Sequence, residues 1–253
     1  MQTDDKAPTM PPILSLAGKK VLVTGAANGI GQATTVALAQ LGADLVITDI
    51  ESMASTMERL ATLGRRYEAV QGDITNEAFI DDLLSRGPYA SLANVAAVFL
   101  SKPGQSTRDH FDLVMDVNVY APMLLASRCA EQMASAGGGR IVLVGSVAGR
   151  HGGGSSLNTL DYAAYAASKG GLHVLVKWLS RRAVTGKVMV NGVAPGAVQT
   201  RLTEGVPFDS SVLPLGRMAD PSELAWPIAM LCTPTASYIS GVIVDVNGGS
   251  YVA

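Results

Sequence analysis

Short apolar, β-branched runs alternate along this chain with longer segments whose apolar positions recur at helical spacing. KKVLVTG (19–25) predicts a buried strand, IGQATTVALAQLG (30–42) a helix ending at Gly42, and ADLVITD (43–49) a second strand. Helix 51–63, strand 67–71, helix 76–86 and strand 89–95 follow. One long helical region spans roughly 106–136 and closes on glycines 137–139, and GRIVLVGS (139–146) reads as the fifth strand. Helix 161–184, strand 187–195, helix 220–232 and strand 241–249 complete the chain. This order predicts an α/β fold: a doubly wound, mainly parallel seven-stranded sheet with helices on both faces, in a single domain.

Composition narrows the picture. With 253 residues, 48% hydrophobic and 16% charged, the chain suits one globular domain with a large core. A net charge of −2 with no long charged run argues against nucleic acid and anionic membrane as partners. The two cysteines, Cys129 and Cys232, lie far apart, so no disulfide and a reducing, cytoplasmic setting are expected. No apolar run approaches the ~20 residues of a membrane span. MQTDDKAPTMPP does not resemble a secretory signal. Residues 1–15 are expected to be a flexible tail and 16–253 a single domain, with a lid-like segment at about 200–217.

Residues 162–179 lack the polar stripe of a helix with one wet face. Either a partner subunit or the chain's own C-terminal segment is expected to cover the outer side.

VTGAANGIG joins the first strand to the first helix, with Gly25, Gly29 and Gly31 spaced G-x-x-x-G-x-G. Glycine lets backbone approach a pyrophosphate, and the helix N-terminus offers free N–H groups. Asp49 ends the second strand, where a carboxylate accepts both ribose hydroxyls of adenosine and repels a 2′-phosphate. No cation follows at Ile50 or sits in the turn at Ala26, Ala27 or Asn28, so NAD is expected over NADP. The alternative for Asp49 is an N-cap of the helix at 51.

DYAAYAASKGG (161–171) poses a choice between two tyrosines. Tyr165 and Lys169 are one turn apart, ~6 Å along the axis, whereas Tyr162 lies ~10.5 Å from Lys169. An ammonium beside a phenol lowers its pKa by ~1–3 units from about 10, which would bring Tyr165 into proton chemistry. Ser146, at the end of the fifth strand, lies where parallel α/β sheets bind ligands, as do Asn94 and Pro195–Gly196.

The ordered set TGAANGIG, Asn118 in MDVNV, Ser146 and YAASK resembles the short-chain dehydrogenase/reductase family, over about residues 16 to 253. The resemblance implies a Rossmann-type fold with strand order 3-2-1-4-5-6-7. It implies a catalytic tetrad in which Tyr165 is the acid/base and Ser146 orients the substrate. Lys169 would hold the nicotinamide ribose and lower the Tyr165 pKa, and Asn118 would hold a relay water. Asn118 has an alternative role as a core amide satisfied by backbone. The implied cofactor-binding residues are Gly25, Asn28, Gly29, Ile30, Gly31, Asp49, Asp73, Ile74, Asn94, Ala96, Tyr165, Lys169, Pro195, Gly196, Val198 and Thr200. The last helix and strand resemble those that build the family's tetramer contacts, so a homotetramer is expected.

Two departures stand out. Ala96 occupies a position that is usually glycine, beside the expected cofactor. Ser146 and Tyr165 are separated by a long, glycine- and serine-rich piece, RHGGGSSLNTLD, expected to be mobile and to line the substrate mouth. His151 either touches substrate there or is a solvated loop histidine, and Tyr162 either packs at an interface or faces substrate. Val98, Leu202 and Phe208 are further candidate lining residues. The lid carries Leu202, Val206, Phe208, Val212 and Leu213, and the loop 97–105 carries Val98, Phe99 and Leu100. Unless the lid side chains pack on the body, these favour an apolar, cyclic or aromatic secondary alcohol. The expectation is hydride transfer between NAD(H) and a small secondary alcohol or ketone, with no metal. Two alternatives stay open: a 3-oxoacyl-thioester reductase docking its carrier through Arg150, Arg201 and Arg217, and a dinucleotide sensor without chemistry.

Overall fold

The structure, a computed structural model, describes residues 12–101, 103–153, 159–204 and 210–253. Seven strands form one sheet: β1 (Lys20–Thr24), β2 (Asp44–Asp49), β3 (Tyr67–Gln71), β4 (Ser91–Asn94), β5 (Gly139–Val144), β6 (Val188–Pro195) and β7 (Ile243–Val246). Their order is β3-β2-β1-β4-β5-β6-β7, and every pair is parallel. All carboxyl ends therefore share one edge. The order reverses between β1 and β4, which opens a crevice above Thr24 and Asn94.

The helices are α1 (Gly29–Gln40), α2 (Ala54–Thr62), α3 (Glu77–Ser85), α4 (Thr107–Met115), α5 (Ala121–Ser135), α6 (Ala148–His151), α7 (Leu160–Ala183) and α8 (Pro221–Leu231). The pleat divides them between two faces, because successive side chains of a strand point opposite ways. Val21 and Val23 join Leu38 of α1 and Leu224 and Ile228 of α8 in one core. Leu22 joins Ile80 of α3, Leu125 and Met133 of α5, and Leu172 and Val176 of α7 in the other.

Several sequence expectations change. The helical region 106–136 is three pieces, α4 and α5 joined by a π-helical segment at Asp116–Tyr120. The second helix begins at Ala54 with Met53 before it, so Asp49 is not its N-cap. Of the glycine- and serine-rich piece between Ser146 and Tyr165, residues 154–158 lie outside the described residues, and its two ends are helical. Arg150 and His151 belong to α6, and Leu160 and Asp161 open α7 behind an N-cap bond from Tyr162 N–H to Thr159 Oγ1. The outer side of α7 is not covered by the C-terminal segment, since Val174 is 65% and Trp178 46% exposed. Of the expected tail, Pro12–Leu14 forms a 3₁₀ turn. The Leu16 side chain beyond it is buried.

Candidate active site

The glycine turn is built by close contact. Gly25 has φ +71°, and a Cβ there would meet Ala96 N at 2.6 Å. A Cβ on Gly31 would lie 1.8 Å from Gly25 O. Only glycine permits this approach of β1, α1 and the strand-four loop. The Asn28 side chain caps no N–H of α1, which leaves the first-turn donors and the positive end of the helix facing the crevice. Ile30 is half-buried beside them. These features fit a dinucleotide pyrophosphate.

Asp49 is half-buried, and its carboxylate accepts Ala27 N–H on one oxygen and Glu51 N–H on the other, both at 2.9 Å. Each oxygen keeps a lone pair for a ribose hydroxyl. Arg201 pairs with Glu51 across this rim. Asp73 is exposed and holds Thr75, while Ile74 is buried in the core. Asn94 is also buried, its Oδ1 accepting the Thr24 hydroxyl at 3.1 Å, so its side chain ties β4 to β1. Ala96 takes no left-handed φ, so its Cβ costs no backbone strain. Beyond β6, Pro195 and Val198 are buried and Gly196 half-buried, its missing Cβ leaving room for Asn247. Thr200 reaches back to the glycine turn, since a Cβ on Gly29 would lie 3.0 Å from Thr200 Cγ2.

Tyr165, Lys169 and Ser146 converge beyond the carboxyl end of β5. The Lys169 ammonium lies 5.6 Å from the centre of the Tyr165 ring and donates to Val144 O at 3.0 Å. Lys169 is 2% exposed. Burial pulls its pKa down to about 7. Burial likewise pushes the Tyr165 phenol up to about 12, against a hydrogen bond from Ser146 that works the other way. The expected depression of the Tyr165 pKa by Lys169 is thus reversed: the amine is bound to a carbonyl rather than aimed at the hydroxyl, and desolvation dominates. Ser146 Oγ accepts Ala148 N–H at 3.1 Å, so the hydroxyl is held in place with its proton on the side of the Tyr165 phenol.

Asn118 sits in the π-helical segment, buried. Its Oδ1 accepts Val98 N–H at 2.9 Å, and its Nδ2 donates to Val98 O at 2.9 Å and to Ser168 Oγ at 3.0 Å. Both amide hydrogens are committed, so the alternative role, a core amide satisfied largely by backbone, is what the side chain performs. A relay water would be left the second lone pair of Oδ1 or the main-chain carbonyl.

Of the candidate substrate-lining residues, Tyr162 is half-buried with its ring 6.3 Å from that of Tyr165, and the Val98 backbone is held by Asn118. Phe99 completes the wall, 4.9 Å from Tyr165 and 5.7 Å from Tyr162. His151 is exposed, its Nδ1 accepting Gly153 N–H and its ring 5.9 Å from Tyr251. Leu202 is 37% exposed, and Phe208 and Val206 lie outside the described residues. Val212, at 71% exposed, does not pack on the body.

Sequence reasoning missed His173 and Asp161. His173 Nε2 is 3.5 Å from Ser146 N, and burial, with Arg150 and Lys169 nearby, holds its pKa down to about 4. The stripe Tyr165, Lys169, His173 at i, i+4, i+8 was the available signal.

A family model described as enoyl-(acyl carrier protein) reductase matches residues 25–251. The chain belongs to the short-chain dehydrogenase/reductase family. This short-chain dehydrogenase is 32% identical over 249 residues to the cis-4-hydroxycyclohexanecarboxylate dehydrogenase of Sinomonas cyclohexanicum, covering 93% of the chain and 97% of the relative. It is 32% identical over 258 residues to the 3-oxoacyl-[acyl-carrier-protein] reductase of Vibrio cholerae, covering 94% and 100%. A solved structure assigned as an NAD(P)-dependent gluconate 5-dehydrogenase of Beutenbergia cavernae, with bound NADP at low occupancy, is similar at TM-score 0.85 and 29% identity, covering 94% and 98%. Membership makes the chain an oxidoreductase of that family, and the substrates of these proteins are not shared among them.

Proposed function

We propose that this oxidoreductase interconverts a small secondary alcohol and its ketone with NAD(H), through Tyr165, Ser146, Lys169 and Asn118. The observation that carries the reading is the convergence of the Tyr165 phenol, the Ser146 hydroxyl and the Lys169 amine at the sheet edge that also holds the glycine turn. When bound, the dinucleotide supplies or takes up the hydride. Ser146, whose hydroxyl hydrogen-bonds the Tyr165 phenol, turns that proton to the substrate oxygen and orients it. Tyr165, pushed up to about 12, is a neutral phenol at pH 7, the form that gives a proton to a forming alkoxide. Lys169 sits where it can hold ribose hydroxyls and pull the phenol down once charged. Asn118 fixes the backbone of Val98, which precedes the Phe99 that packs on Tyr165.

NAD is favoured by Asp49 with its spare lone pairs, the exposed Ile50 beside it and the second carboxylate of Glu51. The aromatic wall of Phe99, Tyr162 and Tyr165 favours an apolar or cyclic substrate. The three arginines that would dock an acidic carrier are each engaged by a carboxylate: Arg150 by Asp245, Arg201 by Glu51 and Arg217 by Glu223. That sets the thioester reductase behind the small-alcohol reading, and the converging proton-transfer groups set the sensor behind both. A homotetramer accords with the apolar side chains left exposed on α7 and α8.

The test follows NADH formation across a panel of secondary alcohols. Tyr165→Phe should cut turnover by about 10²–10⁴-fold with NADH binding intact, and Tyr162→Phe far less. Retained turnover in Tyr165→Phe refutes the tyrosine's role, and tighter binding of NADPH than NADH refutes the cofactor preference.

A further inference from the structure

We propose that Asp161 is a positioning residue whose carboxylate straps the loop after β4 to the first turn of α7 and so seats Phe99 against Tyr165. The inference rests on the reading of Tyr165 as the proton donor.

Two anchors hold the loop. Asn118 clamps Val98 through its N–H and its carbonyl. Three residues on, Asp161 Oδ2 accepts the Ser101 hydroxyl at 2.6 Å and Ser101 N–H at 3.1 Å. Phe99 lies between the anchors, 6% exposed, with its ring on both tyrosines. The carboxylate is the second residue of α7, where the helix dipole favours negative charge. The Ser101 hydroxyl bond, first of its causes, holds the Asp161 pKa below the usual carboxylate range. His110 Nε2 lies 3.8 Å from the other carboxylate oxygen, and neither ring nitrogen has a hydrogen-bond partner among the described residues. Nothing in the hydride or proton transfer uses these groups. Their evident effect is on Tyr165, whose burial depends on the Phe99 ring staying in place.

The experiment compares Asp161→Ala, Asp161→Asn and Phe99→Leu with the wild type. Asp161→Ala should lower kcat by about tenfold or more, as small displacements of a reacting group do, while NADH affinity holds. Asp161→Asn keeps an acceptor oxygen for Ser101 and should restore most of the loss. In the double variant Asp161→Ala/Phe99→Leu the two losses should not add, because one acts through the other. A readout free of turnover is the Tyr165 phenol, titrated by ultraviolet difference against Tyr165→Phe. In Asp161→Ala it should fall from about 12 toward the free-phenol value as water reaches it. Unchanged kcat, additive losses or an unmoved phenol overturns the strap. If Asp161→Ala does not fold, Ser101→Ala removes only the hydroxyl bond and is read in the same ways. A wild type without turnover defeats the functional reading alone, and the phenol titration still decides the strap.

Discussion

Burial drives Lys169 and Tyr165 toward their neutral forms, and this has a measurable consequence for stability. Lys169 falls to about 7 in the fold from 10.5 in the unfolded chain. Between those values the unfolded state binds more protons, so stability rises with pH through that window. Below pH 7 the full penalty of the buried ammonium remains, and above pH 10.5 it is gone. Lys169→Met, similar in size and uncharged, should therefore be inactive yet more stable at pH 7, by on the order of 2 kcal/mol after the lost bond to Val144 O is counted. Urea unfolding at pH 7 and pH 10 checks this, and an equal gain at both pH values would contradict the burial argument. The spacing of Tyr165, Lys169 and Ser146 was legible in the chain because a helix and a strand end fix where side chains stand. The sign of the Tyr165 shift was not, since spacing reports separation and is blind to desolvation. Asp161 and Ser101 were illegible for a different reason: 60 residues part them, and neither lies in a periodic pattern with the other.

Elements carry the next level of constraint. The turn from β1 to α1 works because two backbones touch where no side chain intervenes. Gly31→Ala would drive a Cβ to 1.8 Å from Gly25 O, a clash with backbone that no rotamer relieves. The expected cost is about 1–3 kcal/mol of stability and loss of dinucleotide binding, read by thermal unfolding and by fluorescence titration with NADH. Near-normal NADH affinity in that variant would mean the turn is not the pyrophosphate site. Strand and helix order were readable from periodicity, and strand 67–71 falls where it was expected. The π-helical segment was not, because Asn118 between valines looks like a weak helix position rather than an extra residue in a turn. The start of α2 was misplaced for a related reason: Asp49 is spent on Ala27 and Glu51, so the helix begins without it.

At the scale of the whole molecule, the parallel sheet buries both of its faces and leaves the outer sides of the helices to meet something else. The α7 side presents Val174 and Trp178, with the Arg182 guanidinium 4.3 Å over the Trp178 ring. A separate set comprises Trp226 on α8, with Tyr238 and Val242 before β7. A closed tetramer with two-fold symmetry needs two distinct self-complementary faces, and a dimer needs one. Burying a Trp or Val side chain stabilises by about 1.5–3 kcal/mol, so the α7 pair alone would contribute appreciably at a symmetric contact that places each twice. The wild type should therefore sediment as four chains. Trp178→Glu with Val174→Lys should yield a smaller species with unchanged far-ultraviolet dichroism, since both side chains already stand partly in solvent and the fold does not depend on them. Trp226→Glu should break the other contact and leave the α7 contact in place, giving dimers. A wild type that sediments as one chain at micromolar concentration, or a Trp178/Val174 variant that stays tetrameric, would show that these faces are solvent-exposed for some other reason than assembly.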